Sequence, residues 1–255
     1  MTKHYAVLGS PISHSKSPLI HGTIFDHLHT DADYISHDVV DLAGFLKSQH
    51  GLSGLSLTMP LKDQAFEVAS ELDFWAQHTE SVNTLKKTNS GWAGYNTDVF
   101  GLRQAASQLT FQSVAVLGTG ATARSALTAF QDSNLMLWGR DQESAKELSK
   151  RFDASNQDLM ATLSADLVVS TIPGSVLSGL ISQGSKHPGT LISADYGTGG
   201  HQAGASFENF ISGLEMLMWQ AVGQQRIFTG LGLNTPLPDE EILIETIRQA
   251  LDMAK

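Results

Sequence analysis

Cysteine is absent from the 255 residues. Disulfides, thiolate metal ligands and a cysteine nucleophile are therefore excluded, and the composition suits an intracellular protein. No apolar run approaches the ~20 residues that span a bilayer. The N-terminus carries no basic segment followed by a long apolar one, so no signal peptide is expected. Basic residues are scarce: 16 Lys and Arg stand against 26 Asp and Glu, a formal charge of −10. With lysines and arginines scattered, the chain lacks the positive face that nucleic acid demands. What remains is an acidic globular chain, 41% hydrophobic with 23 glycines, long enough for one large domain or two small ones. A cytoplasmic monomer or homodimer that handles small molecules is expected, with neither nucleic acid nor membrane as a partner.

Apolar runs alternate with helix-like segments in two successive sets. The first opens with a strand at 4–9 and a helix at 17–29, with Ser17 as its N-cap and Pro18 at the first helical position. A strand at 33–40, a short helix at 41–49 and a strand at 54–58 follow. The spacing of apolar residues predicts one helix over 63–79. Residues 81–98 read as a hairpin turning at "TNSG". After a helical linker at 100–109, the second set runs strand, turn and helix through 113–130, a strand at 135–140 and a helix at 141–152. Strand-like runs at 165–173 and 190–196 come next, and helices at 213–230 and 238–254 end the chain. Strands that alternate with helices predict an α/β fold with a mostly parallel sheet.

"VLGTGATA" sets Gly118-x-Gly120-x-x-Ala123 between a strand and a helix. The first glycine permits the tight turn and the second lets backbone approach a pyrophosphate. The small third residue lets helix pack on strand. This points to a dinucleotide. At the end of the next strand stands "WGRD". Arg140 favours the 2′-phosphate of NADP, because a guanidinium pairs with phosphate in a bidentate way. Asp141 is either a ribose ligand, which leaves NAD open, or the cap of the following helix.

Four further stretches concentrate polar groups near strand ends, where α/β sheets bind ligands. "GSPISHSKSP" (9–18) gathers serine hydroxyls. "LTMPLK" places Thr58 and Lys62 around a proline. "SVNT" holds Asn83 and Thr84. "GYNTDVFG" holds Asn96, Thr97 and Asp98, which is also a plausible helix cap. The histidines show no ligand spacing such as H-x-x-x-H, so no metal is expected.

Together with the nucleotide turn and "GLEMLMWQA", these motifs resemble, in order and at similar spacing, the shikimate dehydrogenase family. The match runs from residue 9 to about residue 230. The resemblance implies an N-terminal α/β substrate domain, 1–101 plus 213–255, and a Rossmann-type NADP domain, 102–212, with the ligands in a cleft between them. It implies that Ser15 and Ser17 bind the substrate carboxylate, and that Thr58, Asn83 and Gln220 take ring hydroxyls. Tyr196 would line the substrate side, and Lys62 and Asp98 would form the catalytic pair. Ala121, Thr171 and Gly213 join Gly118, Gly120, Ala123 and Arg140 as cofactor residues. The implied activity is reversible reduction of 3-dehydroshikimate by NADPH, in aromatic amino-acid biosynthesis. Quinate with NAD, or a non-catalytic NADP-binding regulatory module, stand as alternatives. The chain departs from the family pattern in four places. Ser56 replaces an asparagine, and Gly22 follows His21 where the family has asparagine. Gly139-Arg140-Asp141 replaces an Asn-Arg-Thr clasp, and Ser144 stands where a second arginine would be.

Overall fold

Two six-stranded sheets organise the chain, one in each of two units: Met1–Gly101 with Leu217–Lys255, and Leu102–Met216. The computed structural model describes residues 2–181 and 184–254. The first unit runs β1 (Lys3–Gly9), α1 (Ser17–His27), β2 (Ala32–Asp38), α2 (Leu42–Ser48), β3 (Leu52–Leu57), α3 (Lys62–Val68), β4 (Glu71–Leu72), α4 (Phe74–Thr79), β5 (Thr84–Thr88) and β6 (Gly91–Tyr95). Its strand order is β2-β1-β3-β5-β6-β4. Only β5 runs antiparallel to its neighbours. The run "YAVLG" is buried residue by residue in β1, as a central parallel strand covered on both faces requires. Leu8, Leu55, Leu57, Leu61 and Leu85 pack in one cluster of the core. Tyr5, Phe25, Tyr34 and Phe228 form another.

The helix expected over 63–79 is two helices. α3 stops at Val68, β4 pairs with β6, and Asp73 opens α4 by accepting a hydrogen bond from the Ala76 N–H at 2.7 Å. The Ser70 N–H donates to Trp92 O at 2.8 Å. Apolar spacing runs through this break, so periodicity does not reveal it; local capping and strand pairing decide. The cap expected of Ser17 is also displaced: Ser17 lies inside the first turn, and Lys16 occupies the N-cap position without a side-chain capping bond. Elsewhere aspartate does the capping. Asp41, Asp141 and Asp158 accept first-turn N–H groups of their helices, as the short side chain favours.

α5 (Thr97–Ala105) leads into the second unit. There follow β7 (Ser113–Leu117), α6 (Ala121–Ala129), β8 (Asn134–Trp138), α7 (Gln142–Arg151), β9 (Ser155–Asn156), α8 (Leu159–Thr162), β10 (Leu167–Ser170), α9 (Gly174–Leu180), β11 (His187–Ser193), α10 (Thr198–Gly204) and β12 (Phe207–Ile211). The sheet is parallel throughout, in the order β12-β11-β10-β7-β8-β9. Counted from β7 this is the doubly wound order 3-2-1-4-5-6 of dinucleotide-binding sheets, with β7 beside the switch point. The short β9, α8, α9, α10 and β12 are not anticipated from apolar patterning. α11 (Gly213–Thr229) returns to the first unit, and α12 (Glu240–Met253) completes it. No helix among the described residues is long and apolar enough to cross a membrane.

Candidate active site

The serine-rich loop leaves the C-terminal end of β1, and the Thr58 segment leaves the adjacent end of β3. Backbone ties them: the Ser10 N–H donates to Met59 O at 2.9 Å, and the Thr58 N–H to Leu8 O at 2.9 Å. Ser17 is buried and Ser15 partly so, with the Ser17 N–H donating to Ser15 Oγ at 3.3 Å. Thr58 O accepts from the Leu61 N–H at 2.8 Å, which places Lys62 at the start of α3.

Lys62 Nζ donates to Asp98 Oδ2 at 2.5 Å, both side chains largely shielded from solvent. Asp98 sits in the first turn of α5, where the helix dipole favours a carboxylate, and its N–H donates to Asn96 Oδ1 at 3.1 Å. Asn96 thus serves as the cap and Asp98 is left to meet the lysine. Asn83, ahead of β5, turns its Nδ2 toward Asp98 Oδ1 at 2.8 Å, Thr97 Oγ1 at 3.0 Å and Gln220 Oε1 at 3.2 Å. Four sequence-predicted residues, Lys62, Asp98, Asn83 and Gln220, therefore share one hydrogen-bonded cluster. It joins an ammonium to a carboxylate beside amide groups, an arrangement suited to binding an oxygen and moving a proton. Among the described residues no group of three or more His, Asp or Glu could hold a metal ion.

Behind this cluster lies a second layer that motif reading does not identify. Gln224, one helical turn beyond Gln220, donates to Asn83 O and Thr84 Oγ1 and accepts from Ser56 and His21. Its sequence sign is the pair of glutamines at i, i+4, which sets both on one face of α11. His21 is stacked on Tyr34, ring centroids 4.0 Å apart. Burial drives its pKa down to about 3, against a smaller opposing effect of the Gln224 bond. A depressed folded-state pKa means that the unfolded chain binds the extra proton first, so this contribution to stability is whole above pH 6.5 and is lost as pH falls toward 3. His21→Phe keeps the ring but cannot titrate. Between pH 6.5 and 4 the wild type should lose stability faster than this variant by up to ~1.4 kcal/mol per pH unit in urea titrations. Parallel curves would contradict the buried neutral imidazole. Asp73, raised to about 6 by burial, works in the opposite sense between 3.8 and 6, but it is common to both proteins and cancels.

In the second unit Gly118 follows β7 with φ +121°, and a Cβ there would collide with Thr171 Oγ1. Thr171 donates to Leu117 O at 2.9 Å and closes the turn. At Gly120 a Cβ would meet nothing within 4 Å, and no side chain caps α6. An open, bare-backbone cradle at a helix start beside the switch point fits a pyrophosphate. Ala121 opens α6 and Ala123 is buried behind it. Arg140 is exposed after β8. Asp141 is engaged on both oxygens, by the Glu143 and Ser144 N–H groups and by Ser144 Oγ at 2.7 Å. Of its two sequence readings, the cap is the one observed. Gly213 opens α11. Tyr196, partly buried two residues beyond Ala194, has its hydroxyl pKa raised by burial and by the neighbouring Asp195.

Residues 7–85 match a family described as the shikimate dehydrogenase substrate binding domain. A shikimate dehydrogenase (NADP(+)) of Helicobacter acinonychis is 37% identical over 128 residues, 48% of this chain, and the match spans about half, 49%, of that relative's length. The shikimate dehydrogenase (NADP(+)) of Herminiimonas arsenicoxydans is 34% identical over 196 residues, 70% of this chain and 71% of that one. Among solved structures, shikimate 5-dehydrogenase from Thermus thermophilus, in complex with NADP(H) and shikimate, aligns with a TM-score of 0.82 at 26% identity, covering 97% of this chain and 99% of that one.

Proposed function

Because the chain belongs to the shikimate dehydrogenase family, we propose that it catalyses the reversible NADPH-dependent reduction of 3-dehydroshikimate to shikimate, on the route to aromatic amino acids. The observation that carries this reading is the shielded Lys62–Asp98 pair, held at 2.5 Å with the Asn83 amide on the second carboxylate oxygen. Reduction of a ketone needs a hydride at carbon and a proton at oxygen. The Lys62–Asp98 pair hydrogen-bonds the reacting oxygen and delivers or removes its proton. Ser15 and Ser17 take the carboxylate, and Thr58 takes a ring hydroxyl. Gln220 and Asn83 take others, Asn83 through an amide that also carries Asp98. Tyr196 lines the substrate side.

Gly118, Gly120, Ala121 and Ala123 would hold the dinucleotide pyrophosphate, with Thr171 and Gly213 beside it and Arg140 on the 2′-phosphate. When bound, NADPH supplies the hydride. The capping role of Asp141 favours NADP over NAD: a carboxylate committed to α7 is not turned to a ribose hydroxyl, whereas the exposed guanidinium suits a phosphate. Steady-state kinetics with shikimate or quinate, each with NADP or NAD, test the reading. Shikimate with NADP should give the highest kcat/KM. Failure to reduce either nicotinamide with either acid would sink the catalytic assignment, and preference for quinate with NAD would reassign the substrate and cofactor.

A further inference from the structure

A one-way line of hydrogen bonds crosses the interior of the first unit and ends on Asp98. Two backbone groups fix its direction. Asn83 O can only accept, so the Gln224 atom 3.2 Å away is its nitrogen and the Gln224 oxygen faces the other way. That oxygen receives the Ser56 hydroxyl at 2.7 Å and His21 Nε2 at 3.1 Å. Ser56, its own proton already donated, accepts from the Tyr34 hydroxyl at 2.5 Å. The second Gln224 N–H reaches Thr84 Oγ1 at 3.0 Å, and Thr84 donates onward to Asn83 Oδ1 at 2.7 Å. The Thr97 N–H, 2.9 Å from that same Oδ1, must donate, so Oδ1 accepts and Asn83 Nδ2 is left pointing at Asp98 Oδ1, 2.8 Å away. The other Asp98 oxygen holds Lys62.

Both amides of the line admit one orientation each. Gln224 and Asn83 are each 1% exposed and Thr84 is fully buried, so bulk solvent does not reach them. Turning over either amide would set donors against donors and acceptors against acceptors, and an unmade buried hydrogen bond costs more than a made one contributes. The ends are anchored as well. His21 accepts at Nδ1 from Gln225 at 2.7 Å, which fixes the imidazole as a donor toward Gln224.

We propose that Gln224 is a positioning residue for the Lys62–Asp98 pair. It orients Thr84 and Asn83, and the Asn83 amide sets the plane of the carboxylate that the lysine meets. The competing account is that Gln224 only seals α11 against the sheet. The kinetic part of the test rests on the reaction assigned above; the labelling part does not.

Gln224→Met has similar length but cannot donate to Asn83 and offers Ser56 only a weakly accepting sulfur. It should lower kcat on shikimate roughly 10- to 100-fold, the scale on which small misplacements of catalytic groups act, with a much smaller change in KM. Thr84→Val cuts the line one step later and should do the same, while Thr84→Ser keeps the hydroxyl and should recover kcat. This pair carries the test if Gln224→Met does not fold. Acylation of Lys62 by an amine-directed reagent, followed by peptide mass spectrometry, needs no turnover. It should run severalfold faster in Gln224→Met and Thr84→Val than in wild type and Thr84→Ser. A lowered Tm with kcat and Lys62 labelling both unchanged would overturn positioning. A wild type inactive on shikimate that still shows the labelling shift would overturn the reaction assignment and leave positioning in place.

Discussion

Lys62→Ala is expected to lower kcat roughly a thousandfold, within the range contributed by a positioned acid or base, while affinity for shikimate changes only a few-fold. The lysine meets Asp98 at 2.5 Å where neither side chain is freely solvated. Such a pair contributes little to stability, since desolvation offsets most of its attraction. Chemistry is the better account of its presence. The nucleotide turn at Gly118 belongs to the other unit, so NADP affinity should be spared in the variant. Single-turnover kinetics with separately measured binding of shikimate and NADP separate the terms. A non-catalytic nucleotide-binding module predicts no effect on any of them. A kcat loss below about tenfold, or one matched by an equal loss of shikimate affinity, would remove Lys62 from the chemistry. Asp98→Asn should follow the same pattern, because an amide keeps the shape and loses the charge that holds the ammonium.

Much of this architecture is legible in the chain because its signals are local. Short apolar runs such as "YAVLG" and "SVAVL", ended by glycine, read as covered strands, and the glycine turn after the second marks the nucleotide unit. The hairpin turn at 88–91 is written in its own residues. The continuous helix read over 63–79 fails because apolar spacing is blind to the cap at Asp73 and to pairing with a strand some twenty residues on. The site divides the same way. Its motifs single out Lys62 and Asp98, but their meeting depends on β5 and β6 entering the sheet beside β3, a long-range fact that spacing does not contain. Gln224 and Tyr34 belong to no motif. Gln224 matters through bonds to Ser56 and Asn83 across 168 and 141 positions, and the departure at Ser56 acquires a meaning only there. A serine at that position is small enough to sit between a tyrosine hydroxyl and a glutamine, committed to both.

The largest loss of stability is expected from Glu240→Ala, which takes no part in the catalytic cluster. Glu240 opens α12 and receives Arg226 of α11 through both carboxylate oxygens, one at 2.9 Å from Nε, while Oε2 also accepts from the Leu237 N–H at 2.8 Å. The guanidinium also donates to Leu233 O and lies over the Phe100 ring, 4.9 Å from its centroid. Both side chains are about nine-tenths buried. Alanine at 240 leaves a buried cation without its counter-charge and an N–H without an acceptor. Removing one partner of such a pair costs about 3–5 kcal/mol. For a chain of this size that lowers Tm by roughly 10 °C, measurable by calorimetry. The double variant Arg226→Met with Glu240→Leu removes the stranded charge and should regain much of the loss, though not all, because Leu233 O and the Leu237 N–H stay unserved. If the double variant is no more stable than Glu240→Ala, the penalty does not come from an isolated buried charge, and packing of the 231–239 loop against α11 must account for it instead.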